Sequence, residues 1–118
     1  MKIDERLRDV VTLIDDVRAK DIICFDMDGI SPFYRYVIIC SGNTDRQTSA
    51  IMSRLRDYYI EHKLPVRVEG RESGRWILVD LKDIIVNIFV QEEREYFQLE
   101  KLWLDVPRIE TEELIRNV

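Results

Sequence analysis

The chain is short of the side chains from which most catalytic and metal centres are built. It has one histidine, His62, and two cysteines, Cys24 and Cys40, and neither cysteine has a ligand neighbour at the close spacing a metal site uses. Both cysteines lie inside apolar, strand-like runs, which marks them as small buried hydrophobes rather than a disulfide; no cofactor is implied. Glycine is scarce as well, and Gly70 and Gly74 stand too far apart for the usual phosphate-cradling loops. No apolar run approaches the ~18 residues of a membrane span, and the opening MKIDERLRDVV carries acids and no cleavable apolar stretch. A cytoplasmic protein with no membrane partner is expected. Positive charge is in deficit too: 18 Lys and Arg stand against 23 Asp and Glu, a net charge of −5. Binding held by phosphate contacts needs clustered cations that release counterions, so little direct nucleic-acid contact is expected, and a basic protein is the better electrostatic partner.

What the chain does have is an ordinary globular balance, 46% hydrophobic and 35% charged over 118 residues, enough for one domain with its own core. Ile3, Leu7, Val10, Val11, Ile14 and Val17 recur at helical spacing, which predicts an amphipathic helix over residues 4–20 with Asp4 able to cap it. IICFDM after Asp21 and YVIICS before Gly42 read as strands, joined by a connection that begins at Asp28-Gly29. Thr44 followed by Gln47 is a capping-box pattern, and Ile51, Leu55, Tyr58 and Tyr59 carry a second helix to His62. Pro65 stops it, VRVE alternates as a partly exposed strand does, and Gly70 to Gly74 form a charged turn. Trp76 to Leu81 and Ile84 to Val90 make a hairpin around Lys82-Asp83.

A final helix is predicted from near Glu92, with Glu92, Glu93 and Glu95 favourably placed at its positive end and Tyr96, Leu99, Leu102 and Trp103 as one stripe. Asp105-Val106-Pro107 closes it, and the acidic remainder through Val118 has one more short helix expected over Glu112 to Arg116. This order predicts an α/β (α+β) domain over residues 1–108, a mixed sheet of about five strands flanked by helices, with an acidic tail over residues 109–118.

One stretch invites an enzymatic reading. I-I-C-F-D-M-D-G, with Asp26 and Asp28 after an apolar strand, resembles the first motif of haloacid-dehalogenase-type phosphatases, and Ser41 after the next strand could serve as their second. In that fold the two strands run parallel, and a parallel pair needs a crossover of about a dozen residues or more. Only Gly29 to Arg35 join them here. An antiparallel pair is predicted, with Asp26 and Ser41 toward opposite ends. Lys82 falls in a hairpin turn, and no later acidic pair follows a strand as a magnesium site would need. His62, near a helix end with no orienting partner, does not suggest a Ser-His-Asp triad. The chain is read as a non-enzyme, with a phosphohydrolase using Asp26 as the alternative.

The region from Gly74 to Trp103 offers most to a partner. Its hairpin strands are apolar on both faces, so helices or a partner must cover them. Trp76 opens a strand beside Arg75, where a large amphipathic ring can stay partly exposed. Phe97 lies off the stripe of the last helix, which leaves that helix apolar on more than one side. Trp, Tyr and Arg are the commonest binding anchors, and a composite surface of hairpin and last helix is expected.

Four blocks, D-I-I-C-F-D-M-D-G-I-S, Y-V-I-I-C-S-G-N-T-D-R-Q, V-E-G-R-E-S-G-R-W-I-L-V-D-L-K-D-I-I-V-N-I-F and E-E-R-E-Y-F-Q-L-E-K-L-W-L-D-V-P-R, resemble in order and spacing the Iojap family of ribosomal silencing factors. They span Asp21 to Arg108. The resemblance implies a nucleotidyltransferase-like fold stripped of catalytic carboxylates; a nucleotide pocket kept from such an ancestor is a further alternative. It also implies a translational repressor that binds a large-subunit ribosomal protein, the fourteenth of that series (uL14 type), at the intersubunit face and sterically blocks subunit association. Monomer and homodimer stay open for the free protein. Carried over by position are the Glu69-Gly70 turn, Trp76, and Phe97, Leu99, Glu100, Leu102 and Trp103. With Arg75 beside Trp76 and Tyr96 one residue ahead of the pattern, the candidate partner-binding residues are Glu69, Arg75, Trp76, Tyr96, Leu99, Glu100, Leu102 and Trp103. One departure stands out: the family's common V-H-V is Val86-Asn87-Ile88 here, and Asn keeps hydrogen-bonding capacity.

Overall fold

A computed structural model describes residues 3–115; Arg116 and the side chain of Ile3, both used in the expectations above, lie outside the described residues. Helix α1 (Ile3–Asp16) begins before Asp4, so Asp4 does not cap it. Instead the Asp4 carboxylate accepts a 2.9 Å hydrogen bond from the Tyr36 hydroxyl. The helix also ends earlier than its apolar spacing predicts. Arg18 turns left-handed (φ 62°), and Ala19 N–H bonds the Ile14 carbonyl at 3.0 Å while Arg18 N–H bonds that of Asp15 at 2.9 Å. Those two bonds define a Schellman ending, normally marked by glycine.

Strands β1 (Lys20–Asp26) and β2 (Tyr36–Gly42) pair antiparallel, with Asp26 opposite Tyr36 and Lys20 opposite Ser41, as the short connection requires. Helix α2 (Asp45–Glu61) has the predicted Thr44 cap, whose Oγ1 accepts from Gln47 N–H at 3.1 Å, while Gln47 Oε1 reaches one residue past the cap and accepts from Asn43 N–H at 2.8 Å. His62 closes that helix, its Nδ1 2.8 Å from the Tyr58 carbonyl and its ring stacked on Tyr58. Then follow β3 (Arg67–Glu69), β4 (Trp76–Asp80) and β5 (Ile84–Val90), the last two a hairpin turned at Lys82 (φ 80°). Helix α3 (Gln91–Phe97) and a 3-10 helix (Leu99–Trp103) precede a two-residue strand β6 (Arg108–Ile109) and helix α4 (Thr111–Leu114).

The mixed sheet has the order β3-β4-β5-β2-β1-β6, with β2 and β5 parallel and the other pairs antiparallel. Its sixth strand is the addition to the five expected, since two residues carry no periodic signal. Through it Ile109, in the stretch read above as a tail, pairs with Cys24, and Leu114 beyond it enters the core.

Side chains alternate between sheet faces, and the strands sort accordingly. Ile22, Cys24, Tyr36, Ile38, Cys40, Ile77, Val79, Ile84, Val86 and Ile88 pack with α1, α2 and Leu114 in one large cluster. Phe25, Val37, Ile39 and Phe89 form a smaller one with Met27, against which Ile23, Trp76, Leu99, Trp103 and Val106 are partly buried. Only β5 of the hairpin is buried throughout; β4 buries Ile77 and Val79 and leaves Trp76, Leu78 and Asp80 half-covered. The second face therefore holds the candidate site.

Candidate functional site

The predicted last helix is broken. Gln98 adopts a left-handed conformation (φ 49°, ψ 49°), its N–H bonding the Arg94 carbonyl at 2.9 Å, and the 3-10 helix starts beyond it. The break divides the stripe that a continuous helix would have kept on one side. Leu99 and Trp103 turn inward, Trp103 lying 5.4 Å from the Phe25 ring. Tyr96 and Leu102 turn outward, 80% and 71% exposed, and beside them Phe97 and Leu104 are 46% and 73% exposed.

Trp76 links this outward patch to the sheet. Its ring sits 4.8 Å from Phe89 and 5.0 Å from Phe97, and Tyr96 meets Phe97 edge-on at 5.1 Å. Four aromatic rings thus run continuously from the buried Phe89 to solvent, at separations and tilts that ring quadrupoles favour. The indole N–H is already satisfied: it donates at 3.0 Å to Oδ1 of the buried Asn87. Asn87, where the related pattern has histidine, thereby fixes the tilt of the Trp76 ring. Gly70 presses on the same residue from outside. With φ at 81°, a Cβ there would stand 2.2 Å from the Trp76 carbonyl oxygen, so only glycine lets the exposed Glu69-Gly70 turn lie on β4. Arg75 fastens the start of β4 to α3 by donating to Glu93 at 2.9 Å, with Glu92 3.6 Å away.

Sequence reasoning missed the residue beneath this patch. Arg94, buried on α3, donates from Nε to Glu100 Oε1 at 2.7 Å and from Nη1 to Ser41 Oγ at 3.2 Å and the Lys20 carbonyl at 3.4 Å. Ser41 Oγ in turn donates to Gln91 Oε1 at 3.1 Å. Burial pushes the Glu100 carboxyl up, but the hydrogen bond from Arg94, the residue's own backbone N–H and the charges of Arg94 and Arg108 together outweigh it and hold the group below its ordinary range. An arginine amid three glutamates reads as surface charge, and nothing local marks it as buried.

The residues of the phosphatase-like motif are placed apart. Five positions along β2 separate Ser41 from Tyr36, the partner of Asp26, roughly 16 Å at the usual rise per residue. Asp26 Oδ1 accepts from Arg35 Nε at 3.1 Å and from the Asp28 N–H at 3.0 Å, and Ser41 belongs to the Arg94 network. Burial raises both cysteine thiols to about 12, and both are free and buried. Among the described residues no three His, Cys, Asp or Glu side chains gather as metal ligands, and no helix is long and apolar enough to cross a membrane.

A family model described as ribosomal silencing factor during starvation matches residues 1–118. The chain belongs to that family. It is 47% identical over 94 residues to the ribosomal silencing factor RsfS of Bacillus subtilis (strain 168), covering 79% of this chain and 80% of the relative. To the protein of that name from Halalkalibacterium halodurans it is 39% identical over 116 residues, covering 98% and 99%. The chloroplastic protein Iojap of Zea mays is a more distant relative, 26% identical over 95 residues, 80% of this chain and 42% of that longer one. A crystal structure from Bacillus halodurans matches with a TM-score of 0.80 at 38% identity, covering 90% of this chain and 97% of the other. The resemblance first carried by the four sequence blocks is thus confirmed over the whole chain, and the fold is shared with solved relatives.

Proposed function

We propose that the protein silences translation by docking the face built from β4, α3 and the 3-10 helix onto a large-subunit ribosomal protein of the uL14 type, its bulk then obstructing subunit association. No chemistry is required of it. The observation that carries this reading is the continuous aromatic path from Phe89 through Trp76 and Phe97 to Tyr96, with Leu102 and Leu104 exposed on the segment that follows. Large apolar groups clustered on one exposed face mark an interaction surface. The chain as a whole carries a net charge of −5, which suits a basic partner and would speed encounter at low salt.

The test is co-sedimentation of the purified protein with isolated large subunits. Trp76→Ala is expected to weaken binding about thirtyfold, the equivalent of ~2 kcal/mol, while the variant stays folded by circular dichroism. Full binding by Trp76→Ala would overturn the assignment of the face.

A further inference from the structure

Helix α3 is too short to hold itself, and the left-handed Gln98 that follows is a conformation non-glycine residues avoid. Something must fix both. Arg94, 7% exposed, is placed to do so, because its one guanidinium reaches three parts of the fold directly and returns to its own helix through a fourth residue. Nε holds Glu100 in the 3-10 helix at 2.7 Å; Nη1 reaches the Lys20 carbonyl at the start of β1 and Ser41 Oγ near the end of β2; and Ser41 passes the contact on to Gln91 at the head of α3. The Arg94 carbonyl accepts from Gln98 N–H, and the Gln98 carbonyl accepts from Lys101 N–H at 3.0 Å. The break therefore lies between the two members of a partly buried ion pair, spanned by main-chain bonds on either side.

We infer that Arg94 is a positioning residue for the docking face. Its fork sets the angle between α3 and the 3-10 helix, so that Tyr96 and Phe97 from one segment and Leu102 and Leu104 from the other are offered together, while Leu99 and Trp103 close over Phe25. This rests on the docking reading above. Lysine cannot replace it, since a single ammonium does not reproduce donors directed at once toward a carboxylate on one side and a hydroxyl and carbonyl on the other. An apolar residue would leave the Glu100 carboxylate without its partner, whereas removing both charges relieves that penalty.

The experiment compares the full chain with Arg94→Lys, Arg94→Met and the double variant Arg94→Met, Glu100→Leu. Thermal midpoint, hydrogen exchange of the Gln98 and Lys101 amides, and co-sedimentation with large subunits are measured for each. Arg94→Lys and Arg94→Met are expected to bind at least tenfold more weakly and to lose protection at both amides. The double variant is expected to regain the thermal midpoint without regaining binding or protection. If it regains binding along with stability, or if Arg94→Lys binds like the parent, the positioning role is overturned. Should Arg94→Met fail to fold, the double variant decides. A parent chain that does not co-sediment sinks the docking reading separately; lost amide protection in the variants then still supports the role of Arg94 in shaping the segment, and retained protection overturns it.

Discussion

On one face of the sheet Val10, Val11 and Ile14 of α1 and Ile51 and Leu55 of α2 are entirely buried, and Leu114 of α4 seals the remaining edge. On the other, two short segments joined at Gln98 lay Leu99 and Trp103 over Phe25 and stop there, leaving Tyr96, Phe97, Leu102 and Leu104 in solvent. The same six strands support both. The first face shows what this chain does when apolar side chains serve folding alone: long helices cover the central strands, where Ile38, Cys40, Ile77, Val79, Ile84, Val86 and Ile88 are fully buried. Uncovered aromatics on the second are therefore not a shortage of helix. They are rings continuous with the core, held in place by Asn87, Gly70 and Arg94, and rigid anchors of that kind lose little entropy on meeting a partner.

The sharpest way to break this contrast is to truncate one side chain on each face. Leu55→Ala should cost about 2–5 kcal/mol in urea unfolding, the range for emptying a buried leucine site. Tyr96→Ala and Leu102→Ala should stay within about 0.5 kcal/mol of the parent yet lower large-subunit binding severalfold. Were Leu102→Ala to unfold the domain as Leu55→Ala does, the second face would be core and the contrast would fail. Between these lies Gly70→Ala, expected to cost more than ~1 kcal/mol because alanine must take a positive φ and its Cβ meets the Trp76 carbonyl. Its signature is a shifted Trp fluorescence maximum, and an unchanged spectrum with unchanged stability would remove Gly70 from the site.

The two faces also differ in how far the sequence discloses them. The covered face follows from local pattern: Ile51 and Leu55 at helical spacing, the unbroken apolar run of β2, and the Thr44 cap all point where the structure places them. Antiparallel pairing of β1 and β2 follows from the seven residues Gly29 to Arg35. On the other face the same logic misleads. Tyr96, Leu99, Leu102 and Trp103 keep helical spacing through a residue that leaves the helix, and Gln98 is not a residue type that announces a left-handed turn. The cause is a tertiary contact, Arg94 reaching Lys20 and Ser41 across the fold, which no local pattern contains. Arg18 ends α1 in the same unannounced way.

Acid titration is the gentlest probe of the second face. The carboxyls of Glu100 and Asp26 are each pushed up by burial and, on balance, held down, Glu100 by the hydrogen bonds from Arg94 and its own N–H with the charges of Arg94 and Arg108, and Asp26 by hydrogen bonds from Arg35 and the Asp28 N–H with the Arg35 charge. A folded-state pKa below the unfolded value stabilises fully above the unfolded pKa and is lost as pH falls through the folded one. For Glu100 that window opens near its ordinary value of 4.5 and extends downward. Glu100→Gln keeps an oxygen for Arg94 to bond but has no proton to gain. Urea midpoints of parent and variant should therefore differ at pH 6 and converge as pH drops below that value. Because Asp26 titrates alike in both proteins, its contribution cancels in the difference, leaving the pair that frames the Gln98 break. Parallel curves down to pH 3 would mean that Glu100 gains nothing from Arg94 on folding, and that the outward turn of Leu102 is held by Leu99 and Trp103 packing alone.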